Sequence, residues 1–415
     1  FGNANQLTRT RQSTYDQLNR LATTIGAQNQ RETFTYDNNG NLLAVTDPLN
    51  RVTSSGYDVL DRLIQVTDPA GGISTIAYNT HDQPTTVIDQ RGLQTSYTYN
   101  ALGDQTRLDS PDTGATTRTF GAAGNVLTAT DARGQQTTFA YDDLGRLASQ
   151  TFAGGSIAYQ YDQGTNGIGR LTGMTDPSGS TAWNHDAHGR VVQKQQTVNG
   201  RTLTTAYQYD PATGRMTTMT YPSGKQLSFT YDAAGQVNGI KVDGTPLVSN
   251  ITYQPFGAPA SWSQGNGSIH TRTFDLDGRI TGIATSGDAA ETISLTHDAA
   301  NRITRMSTTG GLPVTAPSGE TTLHYGDNSN RLTSATGAMT KTYNYDAAGN
   351  TTSDGSTNLS YDGRGRLIQV VRNGQTTQYK INGLGQRVAK NSTNFVYDEQ
   401  GHLLVHPELG DVQHQ

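Results

Sequence analysis

Apolar and polar positions recur along this chain in a fixed order: an apolar residue, often Thr, an aromatic, a short polar stretch and an aliphatic, as in Phe34-Thr35-Tyr36-Asp37-Asn38-Asn39-Gly40-Asn41-Leu42. The aromatic anchors stand 21 residues apart at Tyr15, Tyr36, Tyr57, Tyr78, Tyr99, Phe120 and Tyr141. Looser spacing continues the series through Tyr161, His185, Tyr209, Tyr231, Tyr253, Phe274, His297, Tyr325, Tyr345, Tyr361, Ile381 and Tyr397, nineteen anchors in all. In fifteen copies the residue two places before the anchor is also apolar or aromatic, and a period of two puts both on one face of a strand. A Gly or Asn four places after the anchor marks a turn and an aliphatic residue opens a second strand. Thr46-Asp47-Pro48 or Thr67-Asp68-Pro69 then closes the copy. Each copy therefore predicts strand, turn, strand, turn, one supersecondary unit repeated from end to end.

The predicted fold class is all-β: a strip of antiparallel hairpins that coils into a hollow, barrel-like shell. Nineteen copies of two strands, at about 4.8 Å between neighbours, make a strip roughly 180 Å long. Accumulated right-handed twist prevents so long a sheet from staying flat. Rolled into one turn it would be about 60 Å across, too wide for side chains to fill and wide enough for a small folded domain. A flattened two-layer sandwich is the competing geometry. We expect residues 1–415 to form one continuous region of 19–20 copies, with 304–324, where Gly310-Gly311-Leu312-Pro313 lengthens one step, leaving the sheet as a longer loop. Phe1-Gly2-Asn3-Ala4-Asn5-Gln6-Leu7 resembles a degenerate copy and no Met precedes it, so the expectation is a piece of a longer protein.

Composition narrows the function classes. Only 33% of the 415 residues are hydrophobic and 47 are Gly, too little apolar content for a thick core, which suggests a one-layer construction. A net charge of -5 and six lysines leave no basic stripe for nucleic acid. With zero Cys there is no disulfide framework and no thiolate metal site. No apolar run approaches the ~18 residues that span a bilayer.

Thirteen anchors are followed by Asp, among them Tyr15-Asp16, Tyr36-Asp37, Tyr57-Asp58, Tyr141-Asp142, Tyr231-Asp232, Tyr345-Asp346, Tyr361-Asp362 and Tyr397-Asp398. A basic residue often follows five places after the anchor, as Arg146 follows Gly145. An Asp before a tight turn can accept its N–H groups, and the Arg can satisfy the remaining oxygen. Catalysis does not need one acid thirteen times, so these are expected to be structural. His185 with His188 and His402 with His406 have ligand-like spacing, but neither pair brings a third ligand at a recognisable distance. Asp275-Leu276-Asp277-Gly278 begins like a calcium loop without the closing Glu. Asn-x-Ser/Thr triplets such as Asn391-Ser392-Thr393 arise from composition. No catalytic, cofactor or metal site is expected. Twenty Tyr could stack on sugar rings or form aromatic ladders between strands.

Tyr-Asp followed by Gly-Arg-Leu, clearest in Tyr141-Asp142-Asp143-Leu144-Gly145-Arg146-Leu147 and Tyr361-Asp362-Gly363-Arg364-Gly365-Arg366-Leu367, with Thr-Asp-Pro beyond, resembles the rearrangement hotspot (RHS) or YD-repeat family over essentially the whole chain. That family includes bacterial polymorphic toxins, the B and C components of insecticidal toxin complexes, and teneurins. The resemblance implies a spiralling β-shell around a C-terminal toxin or other polypeptide cargo, exported or delivered by a secretion system, with a spike or chaperone as further partner. The family's aspartyl self-cleavage segment has no match here; Asp68-Pro69 with Gly71 shares only the turn. The expected function is non-enzymatic encapsulation, and the alternative is an extracellular adhesion or glycan-binding surface.

Overall fold

The computed structural model describes residues 11–255, 257–287, 290–311, 319–406 and 410–411, and these contain strands and turns with no helix. Among the described residues no helix is therefore long and apolar enough to cross a membrane. Each copy is a two-stranded hairpin. Arg31–Tyr36 pairs antiparallel with Leu42–Thr46, placing Phe34 opposite Val45 and Tyr36 opposite Leu42. Ile76 opposite Val87, Tyr97 opposite Leu108 and Leu295 opposite Met306 repeat the apolar cross-strand pair, the unit that stabilises a sheet face.

The turn between the strands explains the polar signature. Asp37 N donates to Asn41 O and Gly40 N to Asp37 O, with Gly40 at φ 98°. A type I turn followed by one left-handed residue closes such a hairpin. The same place holds Asn19, Asp61, Asp82 and Gly145 at φ 63°, 60°, 61° and 74°, which restricts it to Gly, Asn and Asp. Immediately before an anchor the register slips by one residue, between Thr35 and Tyr36 and again between Ala140 and Tyr141. A recurring bulge of this kind adds local twist.

Contacts divide the chain into two compact units, each made of two runs distant in sequence. Unit 1 comprises Phe1–Gly92 and Ser228–Ala316. Strands from Gln12–Tyr15 to Pro84–Ile88 pair successively in its first run, and those from Val237–Val242 to Ile303–Gly310 in its second. Ala27 N donates to Asp277 Oδ1 at 2.8 Å and joins the two runs. Among its described residues no large apolar side chain is fully buried, so the one-layer expectation describes this unit. Of the stretch 304–324, residues 304–310 belong to strand Ile303–Gly310 and 321–324 to strand Thr321–Tyr325, while 312–318 lie outside the described residues.

Unit 2 comprises Leu93–Leu227 and Pro317–Gln415 and departs from that expectation. Its first run, Gln94–Tyr99 to Met216–Thr220, is a continuous meander. Its second run forms sheets of three, seven and three strands. Phe152, Ile157, Met174 and Trp183 form one buried cluster, and Val198, Val388 and Ala389 another that joins the two runs. The low apolar content of the whole chain concealed this core because it is concentrated in one half.

Candidate functional site

The most repeated chemistry is the Tyr-Asp turn. In the Tyr57 copy, Asp58 Oδ1 accepts Leu60 N at 2.9 Å and Arg62 N at 3.0 Å, while Oδ2 accepts Arg62 Nε at 2.8 Å. Asp16 with Arg20, Asp142 with Arg146, Asp186 with Arg190, Asp275 with Arg279 and Asp298 with Arg302 repeat the Nε contact at 2.6–2.8 Å. Where the arginine is absent another donor takes its place: Asn41 Nδ2 on Asp37 at 2.9 Å, Asn350 Nδ2 on Asp346 at 2.8 Å, and His402 Nδ1 on Asp398 at 2.8 Å. His402 thus occupies the arginine place of its copy, which accounts for half of that histidine pair; the side chain of His406 lies outside the described residues. At Asn100 and Asp104 the two chemistries exchange ends, with Asn100 Nδ2 donating to Asp104 Oδ2 at 2.9 Å.

The tyrosine and the arginine act between copies. Tyr36 Oη donates to Leu21 O at 3.0 Å, Tyr57 to Leu42 O at 3.1 Å, Tyr141 to Val126 O at 3.0 Å, Tyr345 to Leu332 O at 2.7 Å, Tyr361 to Thr351 O at 2.7 Å and Tyr397 to Arg387 O at 3.0 Å. Each acceptor belongs to the copy before. The arginine of that earlier copy covers the ring: Arg20 lies 4.7 Å from the Tyr36 centroid, Arg62 4.9 Å from Tyr78, and Arg146 and Arg190 4.4 Å from Tyr161 and Tyr209. Arg20 Nη1 also donates to Asp37 O at 2.7 Å, and Arg62 Nη1 to Asn79 O at 3.1 Å. One carboxylate folds the turn, and the arginine it holds grips the next tyrosine. Tyr231 ends strand Gln226–Tyr231, and Asp232 Oδ1 accepts Gln236 N at 2.8 Å. Tyr15 ends the first described strand with its side chain largely exposed.

Such bonds hold the carboxyls of Asp58, Asp47 and Asp37 below the ordinary carboxylate range. Asp58 is lowered chiefly by the Arg62 side chain, Asp47 by that of Arg51 and Asp37 by that of Asn41. A folded carboxyl that titrates below its unfolded value of about 3.9 contributes stability above that pH and loses it as pH falls through the folded value. The melting temperature should therefore be level from pH 8 to about 5 and fall steadily below about 4. Calorimetry at pH 7, 5, 4 and 3 checks it, and a melting temperature rising between pH 5 and 3 would contradict the assignment.

Three features escaped the sequence reading. The turn between copies uses the same device: Asp47 Oδ1 accepts Leu49 N at 2.8 Å and Arg51 N at 3.0 Å, Arg51 Nε reaches Asp47 Oδ2 at 2.7 Å, and Asn50 sits at φ 60°. The signal was present in the matching offsets of Asn50 and Arg51 from Asp47. The second is a polar strap in unit 2. Lys194, 2% exposed, donates to Tyr397 O at 3.2 Å and Asp398 O at 3.4 Å and lies 3.4 Å from Glu399 Oε1. Two residues along the same strand, on the same face, Gln196 Nε2 donates to Phe395 O at 2.8 Å. The third is that Gly363 approaches the backbone of Ala153 too closely for a side chain, while Gly383 packs against the side chains of Met174 and Ile157.

Neither histidine pair gathers further ligands: among the described residues no three His, Asp or Glu side chains converge. His185 occupies an anchor place with Nδ1 buried and without an acceptor, and burial lowers its pKa. Asp277 of the calcium-like stretch accepts Ala27 N instead.

Comparison with known proteins agrees with this geometry. A family model described as RHS Repeat matches residues 36–73, 122–157, 141–181, 166–202, 185–226 and 209–245, and one described as Teneurin YD-shell matches 286–412. No curated protein matches the chain. Among solved structures, the Tc holotoxin pore of Photorhabdus luminescens superposes with a TM-score of 0.78 at 17% identity, over 95% of this chain and 26% of that one. A TcdB2-TccC3-TEV structure matches with 0.77 at 17%, covering 94% and 26%, and a TcdB2-TccC3 structure with 0.72 at 19%, covering 96% and 27%. The chain spans about a quarter of those proteins and shares their fold over that span.

Proposed function

This chain belongs to the RHS/YD-repeat family, and from that premise we propose that it is a section of a non-enzymatic wall that encloses a polypeptide cargo, in the first instance a toxin. One observation carries the reading: the repeated side chains are spent on joining adjacent copies. The tyrosine hydroxyls hold carbonyls of the preceding copy, and the arginines cover the ring faces that a sugar would need. A glycan platform needs bare aromatic faces, and of the described tyrosines only Tyr15 and Tyr325 are mostly exposed. A row of pairwise locks makes a sheet with few free edges, which is what a protective wall requires. The Asp carboxylates are structural on this reading, because both oxygens are committed to the turn. The wall excludes the cargo's substrates and shields it from proteases until delivery outside the producing cell.

The test is digestion of the full gene product that contains residues 1–415, with both pieces followed on a denaturing gel. A cargo fragment that stays with the repeats and resists protease at concentrations that degrade it once separated is expected. Immediate loss of that fragment while the repeats survive would remove the basis for a container and favour receptor or glycan binding.

A further inference from the structure

Unit 2 holds a cleft of about 490 Å³, within the range of small-molecule sites, whose wall includes the turn at Ala153–Gly154, Pro177, Arg364, Tyr379 and Lys380. Arg364 is out of character for its place. It stands three residues after an anchor tyrosine, where Leu18, Leu60, Leu102 and Leu144 are 68%, 64%, 76% and 76% exposed. Here the side chain is 11% exposed and its guanidinium lies 4.8 Å over the ring of buried Phe152.

That guanidinium is poorly satisfied. Arginine carries five N–H donors, and leaving donors unpaired in a buried place is costly. Among the described residues the Arg364 side chain makes one hydrogen bond, Nη2 to Asn382 O at a long 3.5 Å. Nε is buried without an acceptor, and the nearest carboxylate oxygen, on Asp362, is 3.7 Å away. Asp362 Oδ1 is already taken by Arg364 N and Arg366 N. The neighbouring Arg133 is, by contrast, fully engaged, with Asp131 Oδ2 at 2.6 Å, Asp362 O at 3.0 Å and Gly363 O at 3.3 Å. Lys380 lines the same cleft, is exposed, and has no acceptor among the described residues.

An under-used guanidinium beside flat apolar walls from Pro177 and Tyr379, with an exposed lysine at the rim, describes the complement of an anion attached to a compact apolar body. We infer that this cleft binds an organic carboxylate, the acid against Arg364 and the apolar part against Pro177 and Tyr379, with the charge of Lys380 at the rim adding attraction. A planar, bidentate acceptor matches the arginine fork. The carboxylate is supplied either by a free aryl acid or by an acidic side chain of a polypeptide, and the experiment separates these.

The 415-residue chain is titrated calorimetrically with 3-phenylpropionate, with 3-phenylpropionamide, and with a blocked pentapeptide carrying one glutamate between two phenylalanines. Saturable binding of an acid at one site per chain is expected, at least tenfold tighter than the amide and at least tenfold weaker in R364Q. Preference for the small acid identifies a free ligand, and preference for the peptide a polypeptide one. Should R364Q fail to fold, K380E at the exposed rim asks the same question, with at least a threefold loss expected. Equal binding of acid and amide, no saturation by any probe, or binding unchanged in the variants overturns the assignment and leaves water as what satisfies Arg364.

Discussion

Replacing Gly363 by Ala should destabilise unit 2 by about 2 kcal/mol, a loss of roughly 5 °C in melting temperature for a body of this size. Gly363 stands two residues after the anchor Tyr361, a place that holds Val59 in another copy, 97% exposed. The position therefore tolerates a branched side chain when the turn points into solvent. In the Tyr361 copy the turn packs on the first run of unit 2 instead, where a Cβ would come within 2.7 Å of Ala153 O and 3.0 Å of Ala153 N. Both atoms are backbone, so relief requires the hairpin to lift or the sheet to shift. Gly383 in the next copy meets side chains instead, with Met174 Sδ at 2.5 Å and Ile157 Cγ2 at 3.0 Å, so a Cβ there could be accommodated by a shift of Met174. Differential scanning calorimetry of G363A beside A233V, the same offset in an exposed turn, makes the comparison. Equal melting temperatures for G363A and the parent protein would show that the hairpin does not pack as described.

Lys194→Ala should cost more, about 3 kcal/mol, because it removes a buried side chain and the donor for two carbonyls at once. The ammonium is 2% exposed, while Glu399, its ionic partner, is 29% exposed and can turn to water. What the variant leaves uncompensated is mainly Tyr397 O, Asp398 O and the volume beside Trp183, whose ring centroid is 5.9 Å from Nζ. Lys194→Met keeps that volume without burying a charge, and its loss should be about 1 kcal/mol. Hydrogen exchange gives the local readout. Amides of 394–399 should exchange faster in K194A than in the parent while those of 94–141 keep their rates. Uniform acceleration across the chain would point to general destabilisation rather than to a strap.

Reading the sequence succeeded where structure is decided by neighbours a few residues apart. A left-handed residue four places after the anchor demands Gly, Asn or Asp, and Asp at the turn start accepts N–H groups two and four residues on, so Tyr141-Asp142 through Gly145-Arg146 declares a hairpin without further context. The partner of the arginine was legible for the same reason. Its second role was not: Arg20 on Tyr36 and Tyr36 on Leu21 are contacts across a copy boundary, set by how one hairpin lies against the next. The Thr-Asp-Pro turn was legible as a turn; Asn50 and Arg51 stand at the same offsets from Asp47 as Gly40 and Asn41 from Asp37, and the contacts show it to be a second use of the same device.

By itself, then, the sequence determined the repeat, the antiparallel hairpin, the turn conformation and the RHS/YD-repeat family, all of which depend on interactions within about five residues or on their strict recurrence. Only the tertiary structure decided which copies are buried. Gly363 differs from Val59 at the same offset by the absence of a side chain, Lys194 stands opposite Trp183 where other copies carry an aliphatic residue such as Val45 or Val87, with Gln196 two residues on, and Arg364 sits at a repeat position that elsewhere faces water. Their roles arise from residues roughly 200 places away, at Tyr397, Phe395 and Phe152, brought close by the packing of one run of strands on another. Local periodicity carries no information about that pairing, since every copy satisfies its own turn equally well wherever it lies in the strip.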